Sequence, residues 1–119
     1  MDDTSDAVNE VRLVGRLGAA PEARTLPSGD SLLSFRLVVA RGDTAKRSAT
    51  RRGTRDVSID TLDCVAWRAG VRRSVSTWAA GDTVEVSGSL RRRFWRGPAG
   101  AASRTEVEVG KARRVRRAG

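Results

Sequence analysis

Five stretches of the chain alternate or cluster their apolar residues as β-strands do, and a sixth follows the longer helical period. Val11–Leu17 and residues 32–39 read as two strands, joined through the Pro/Gly-punctuated turn Pro27-Ser28-Gly29-Asp30. Residues 57–67 read as a third, with Leu62, Cys64, Val65, Ala66 and Trp67 supplying its apolar character. In residues 70–80 the spacing changes: Val71, Val75 and Trp78 fall at i, i+4 and i+7, one face of a short helix. Gly81 is placed to cap its C-terminus. The period of two then returns over residues 83–95, where Val84, Val86, Gly88 and Leu90 alternate with Glu85, Ser87 and Ser89. After the turn Gly97-Pro98-Ala99-Gly100, residues 105–115 form the fifth strand, with Val107 and Val109 set against Glu106 and Glu108.

Five strands with one helix between the third and fourth is the order of an OB-fold, the partly open Greek-key barrel that often binds oligonucleotides. The fold class expected is therefore mainly β, a five-stranded OB-fold barrel with one short helix. With 119 residues the chain holds one domain, expected over residues 9–116, and no internal repeat is present. Residues 1–8 carry Asp2, Asp3 and Asp6 with no basic partner and read as a disordered acidic arm. Residues 41–60 lack a hydrophobic period and read as a long loop. Six basic residues there (Arg41, Lys46, Arg47, Arg51, Arg52, Arg55) face three aspartates. A loop of that length is functional or disordered. Here both hold together, if it is flexible when free and ordered along a phosphate backbone when bound.

Composition narrows the function. Lysine and arginine number 23 against 14 acidic residues, a formal charge of +9, and 21 of the 23 are arginine. Genomic composition bias explains the Arg:Lys ratio but not the excess of positive charge. Such a field attracts polyanions. Ten basic residues lie from Arg91 onward, beside Phe94 and Trp95. With a single cysteine and no histidine, an internal disulfide and a Cys/His zinc site are excluded. Cys64 reads as a buried structural thiol. The acidic N-terminus is no signal peptide, and no apolar run approaches membrane-spanning length. A soluble, cytoplasmic, nucleoid-associated protein with no membrane contact is expected.

The candidate chemistry is stacking and phosphate contact. Along residues 90–95, the alternation puts Arg91, Arg93 and Trp95 on the face opposite Leu90. Cations follow phosphates, and an indole offers any base a stacking surface. Arginine does both, since its planar group also stacks. Phe94 falls on the other face with Arg92 and is expected to pack. The bland alternative is a basic strand edge that only discourages aggregation, though that role does not need a tryptophan. Trp67 sits beside Arg68 and among apolar neighbours, so stacking and core roles both stand. The helical spacing accounts for Trp78, expected in the core.

Residues 9–41 also resemble the opening of the bacterial single-stranded DNA-binding protein family. The strand pattern N-x-V-x-L-V-G-x-L is met by Asn9, Val11, Leu13, Val14, Gly15 and Leu17. It is followed by Pro21, Glu22 and Arg24, then Pro27 and Gly29. The resemblance runs over about residues 9–115 and is strongest in 9–41 and 81–95. It implies sequence-tolerant binding of single-stranded DNA, with Trp67 and Trp95 at positions that stack on bases. Trp95 falls in the pattern L-x-x-R-x-W, read here as Leu90, Arg93 and Trp95. It further implies self-assembly, as tetramer or dimer, through the first strand. Arg12 and Arg16 there either reach DNA or weaken self-association by like-charge repulsion.

The departures from the family are informative. Asp43 and Thr61 stand near positions that are commonly aromatic, so binding weaker than a full-complement member's is expected. Arg41, Arg47, Arg51, Arg52 and Arg55 would offset that through phosphate contacts, making binding steeply salt-dependent. Members often carry an acidic, Phe-terminated tail that recruits other proteins, whereas this sequence stops at basic Arg113-Arg114-Val115-Arg116-Arg117-Ala118-Gly119. Recruitment through its own tail is not expected, whether the chain is truncated or a short variant. Two further readings stand beside strand protection in replication, recombination or repair. One is a replication-restart factor derived from the same family; the other is a partner co-assembling with a full-length homologue. Stacking and phosphate contacts would serve RNA as well as DNA. No cofactor and no catalytic or metal site is expected, since Asp60 and Asp63 lack a recognisable catalytic setting.

Overall fold

The computed structural model describes residues 6–42 and 58–119. Most of the expected basic loop, with Arg47, Arg51, Arg52 and Arg55, and the first five residues of the acidic arm lie outside them. The elements in order are β1 (Val11–Leu17), β2 (Glu22–Thr25), β3 (Ser31–Ala40), β4 (Ile59–Ala66), α1 (Ala69–Val75), β5 (Thr83–Gly97) and β6 (Gly100–Arg116). Five of the six strands close on themselves. β1 pairs with β5, β5 with β6, β6 in parallel with β4, β4 with β3, and β3 returns to β1 at Arg16↔Val38 and Leu17↔Leu37. This is the OB-fold barrel that the strand order implies, with α1 between its third and fourth strands.

β2 is an addition to the expected elements. It pairs with β3 from Glu22↔Ser34 to Thr25↔Ser31, and all four of its side chains are exposed. A strand held only by backbone pairing at an edge buries nothing, so it leaves no apolar period to read.

Closure depends on two glycines. A Cβ at Gly15 would overlap the backbone oxygen of Val38 across the β1–β3 seam. A Cβ at Gly88 would overlap that of Glu108, where β5 shifts register between Ser87 and Gly88. Both mark the bends at which a sheet curls tightly enough to close. Inside, Leu17, Phe35, Leu37, Cys64, Val84, Val86, Val107 and Val109 form one buried cluster with Val75 and Trp78. Burial pushes the Cys64 thiol up to about 12, and the Asp63 and Glu106 carboxylates add to that rise. The thiol therefore stays protonated and behaves as a small apolar side chain.

The helix is shorter than its apolar spacing predicts. It ends with Ser76 as its C-cap, where the Ser76 and Thr77 hydroxyls donate to the Arg73 and Ser74 carbonyls at 2.8 Å each. Side-chain hydroxyls that satisfy the last carbonyls favour termination. Trp78 follows in a tighter turn, its N–H donating to Val75 O at 3.0 Å, and still reaches the core. There it meets Phe35 edge-on, with ring centroids 5.5 Å apart and planes at 81°. Gly81, at φ +88°, is not the helix cap. It belongs to the turn into β5 and donates to Leu17 O at 2.9 Å.

Two hydrogen-bonded devices tie the ends of the chain to the barrel. Asn9 pairs with the backbone of Leu90 in both directions at 2.8 Å, extending the β1–β5 ladder with a side chain. Asp82, buried in the turn just before β5, accepts from the Ala79 and Ala118 N–H groups, both at 2.9 Å, and lies 3.5 Å from Arg114. The Ala79 and Ala118 bonds, with Arg114, hold its carboxyl below the ordinary value of 3.8. Hydrogen bonds from Arg12 and Arg113 likewise hold Glu85 below 4.5. A carboxyl with a lowered folded pKa contributes stability that is complete above its unfolded value and is lost as pH falls through the folded one. The melting temperature is thus expected to be flat from neutrality down to about pH 5 and to fall steeply below about pH 4. Asp82→Ala is expected to melt lower than wild type at neutral pH and to converge with it in strong acid. A pH series of thermal melts on both proteins checks this.

Candidate nucleic-acid interface

β5 and β6 run far past the barrel. Their pairing continues without a break from Leu90↔Val107 to Gly97↔Gly100, closed by the two residues Pro98-Ala99. At about 3.3 Å per residue, the arm stands roughly 23 Å beyond the last core pair. Because β4 and β6 are parallel, the arm leaves the barrel at the end where β4 begins. Arg41 and Ser58, joined backbone to backbone at 2.7 Å, bracket the basic segment at that same end.

Residues opposed across an antiparallel ladder share a face. Arg91 stands opposite Glu106, Arg93 opposite Arg104, and Trp95 opposite Ala102. Trp95 is 49% exposed, its ring open to solvent at a small neighbour. Closer to the barrel the same face becomes dense. The Arg93 guanidinium lies 4.9 Å from the centre of the Trp67 ring and is paired with Glu106. Arg104 approaches the other carboxylate oxygen of Glu106 at 3.6 Å, and Arg91 lies 3.5 Å from Glu108. Glu106 is only 2% exposed, and its Oε2 has no hydrogen-bond donor among the described residues. The Trp67 Nε1–H is likewise buried without an acceptor. Two unsatisfied polar atoms in one cluster are uncommon in a pure packing site.

Beside this cluster a groove of about 670 Å³ crosses the outer faces of β3 and β4. Gly18, Ala19, Ala20, Ser34, Val38 and Thr61 leave it open, and the cations Arg24, Arg36 and Arg104 line it together with the carboxylates Glu22, Asp63 and Glu106. Arg36 faces Asp63 across the ladder at 3.3 Å. Thr61 stands in the groove wall.

The sequence candidates divide accordingly. Trp67, Trp95, Arg91 and Arg93 come together on one surface. Arg68 is exposed at the N-cap of α1, next to Trp67. Arg16 is exposed on β1 opposite Val38, which lines the groove, but is not itself part of the groove lining. Arg41 is exposed at the arm end but paired with Asp60 at 3.2 Å. Arg47, Arg51 and Arg52, and the departure at Asp43, fall outside the described residues. Phe94 corrects the expectation of packing. It is 75% exposed among the described residues, on the part of the arm that projects beyond the barrel. Sequence reasoning missed Arg104, Glu106 and Glu108 as partners of the arm arginines, and Arg24 and Arg36 as groove cations.

The chain matches the Single-strand binding protein family over residues 8–115. It belongs to that family. Among its relatives, the single-stranded DNA-binding protein of Bacillus cereus is 32% identical over 93 residues, covering 78% of this chain and 51% of that protein. Single-stranded DNA-binding protein A of Bacillus subtilis is 34% identical over 86 residues, covering 72% and 46%. The chain thus spans about half the length of these single-strand binding relatives. A solved structure of the Plasmodium falciparum single-stranded DNA-binding protein in complex with single-stranded DNA has the same fold. Its TM-score is 0.70 at 22% identity, covering 94% of this chain and 95% of that one.

Proposed function

We propose that this single-strand binding family member is a non-enzymatic, sequence-tolerant binder of single-stranded DNA. It would keep strands unpaired and protected during replication, recombination or repair, with residues 9–116 as the functional unit. The observation that carries this reading is the exposed Trp95 ring in line with Arg93 and Arg91 on a projecting arm. A flat ring flanked by planar cations is what an unpaired strand needs, and a duplex hides the base faces that the ring would stack on. The open edge of β1 supports self-assembly. Among the described residues Val11–Gly15 pair only with β5, and Val14 is exposed. Glu85 neutralises Arg12 there, which blunts like-charge repulsion between two such edges.

A second reading, action mainly through co-assembly with another family member, is favoured by one observation. Arg91 and Arg93 already hold carboxylates, so a phosphate must displace Glu108 or Glu106. Fluorescence anisotropy of a labelled oligo-dT strand, in rising salt and with matched duplex and RNA as competitors, tests the first reading. The single DNA strand should win clearly over the duplex. Equal competition by duplex would refute stacking, and equal competition by RNA would broaden the ligand to single strands of either kind.

The carboxylates give a sharper expectation. Glu106→Gln keeps the shape of the side chain and frees the charge of Arg93 and Arg104. It should tighten oligo-dT binding severalfold at low salt. It should also steepen the log–log salt dependence by roughly 0.7 for each arginine released to a phosphate. The same anisotropy series reads both quantities.

A further inference from the structure

The arm has a second face. Across the ladder Leu90 opposes Val107, Arg92 opposes Thr105, Phe94 opposes Ser103, and Arg96 opposes Ala101. Within the barrel this phase points into the core, as Val84 and Val86 do. Past the barrel it meets solvent: Leu90 is 47% exposed, and Arg92, Phe94, Arg96, Ser103 and Thr105 are all exposed. The Arg92 guanidinium lies 5.8 Å from the centre of the Phe94 ring and reaches the Ser103 hydroxyl at 3.4 Å.

The two faces differ in charge compensation. On the Trp95 face, Arg91, Arg93 and Arg104 are all engaged by Glu106 or Glu108. On the Phe94 face the ladder places no carboxylate from residue 90 to 107, and neither Arg92 nor Arg96 makes an ion pair among the described residues. The uncompensated cations and the most open aromatic ring therefore sit together, on the side opposite Trp95.

We propose that this face, formed by Arg92, Phe94 and Arg96, is a second contact surface for a single-stranded nucleic acid. A strand engaged at Trp95 would pass around the arm and stack a further base on Phe94. The inference rests on the single-strand reading above and extends it, since it makes the arm bind on both sides. The charge of the face selects a polyanion as its occupant, and the ring selects one with unpaired bases. The competing occupant is a second copy of this chain, covering Phe94 and Leu90 in an assembly.

The test compares wild type with Phe94→Ala and with Arg92→Ala/Arg96→Ala in the full chain, using a short oligo-dT that spans one face and a long one that can wrap both. Wild-type binding with tryptophan quenching establishes the underlying reading independently of this one. The proposal predicts that Phe94→Ala leaves the short strand unaffected and weakens the long strand about tenfold. The double arginine variant should lower the salt slope for the long strand alone. Phe94→Trp should add quenching with the long strand but not the short one. Wild-type affinity of Phe94→Ala for both the short and the long strand, with unchanged quenching of the existing tryptophans, would overturn the proposal while sparing the single-strand reading. A change in sedimentation of the free protein with no change in long-strand affinity would also overturn it, and would assign the face to a second copy.

Discussion

Trp95→Ala should weaken oligo-dT binding by about 1–3 kcal/mol, roughly 5- to 150-fold, and leave the melting temperature unchanged. The expected size follows from what the ring can do when it binds. An indole that is half exposed, opposite Ala102 on a projecting ladder, buries most of its free surface only when a base lies on it. The expected neutrality for stability follows from the same geometry, because beyond Leu90↔Val107 the described strand pairings of β5 and β6 are with each other alone. Paired titrations and thermal melts of the two proteins check both halves. A loss shared equally by duplex DNA would reduce Trp95 to general adhesion, and a fall in melting temperature would make it structural.

Trp78→Ala should do the opposite, costing about 3–5 kcal/mol of stability and lowering the melting temperature by roughly 15 °C or more. Trp78 is 5% exposed and meets Phe35 edge-on, sealing the end of the barrel beneath α1. Removing it opens a cavity that two rigid elements, the helix and β3, cannot collapse to fill. Domains of this size hold only about 5–15 kcal/mol in total, so this is a large fraction. The protein that remains folded should still bind single strands with wild-type salt dependence. Denaturant unfolding with a binding assay well below the transition separates the two effects.

The contrast between these tryptophans shows what was legible in the sequence. Helical spacing with Val71 and Val75 gives Trp78 its inward face even though the helix stops at Val75, because the turn that follows keeps the phase. Period two likewise gives the faces of residues 83–95. What periodicity does not give is register. Once the two residues Pro98-Ala99 are recognised as the whole turn, counting outward sets Arg91 against Glu106 and Arg93 against Arg104. Ending the two strands at Trp95 and Thr105 leaves residues 96–104 as a connection and the register open, which hides those pairs and with them the partial neutralisation of the expected binding strand. Phe94 was misjudged for a related reason. Alternation assigns a side, but only the length of the arm shows that this side has left the core. β2 and the Asn9 bridge escaped because both act through hydrogen bonds and bury no apolar surface. Trp67 stood open between core and stacking, and its place is mixed: it is partly buried, with Arg93 against its ring.

The most direct test of the central claim is intrinsic tryptophan fluorescence on titration with oligo-dT, beside the same titration with a matched duplex at equal salt. Stacking of a base on Trp95 predicts strong, saturable quenching by the single strand and little by the duplex. Equal, salt-erased binding of both with no quenching would contradict it, leaving a basic surface without a stacking platform.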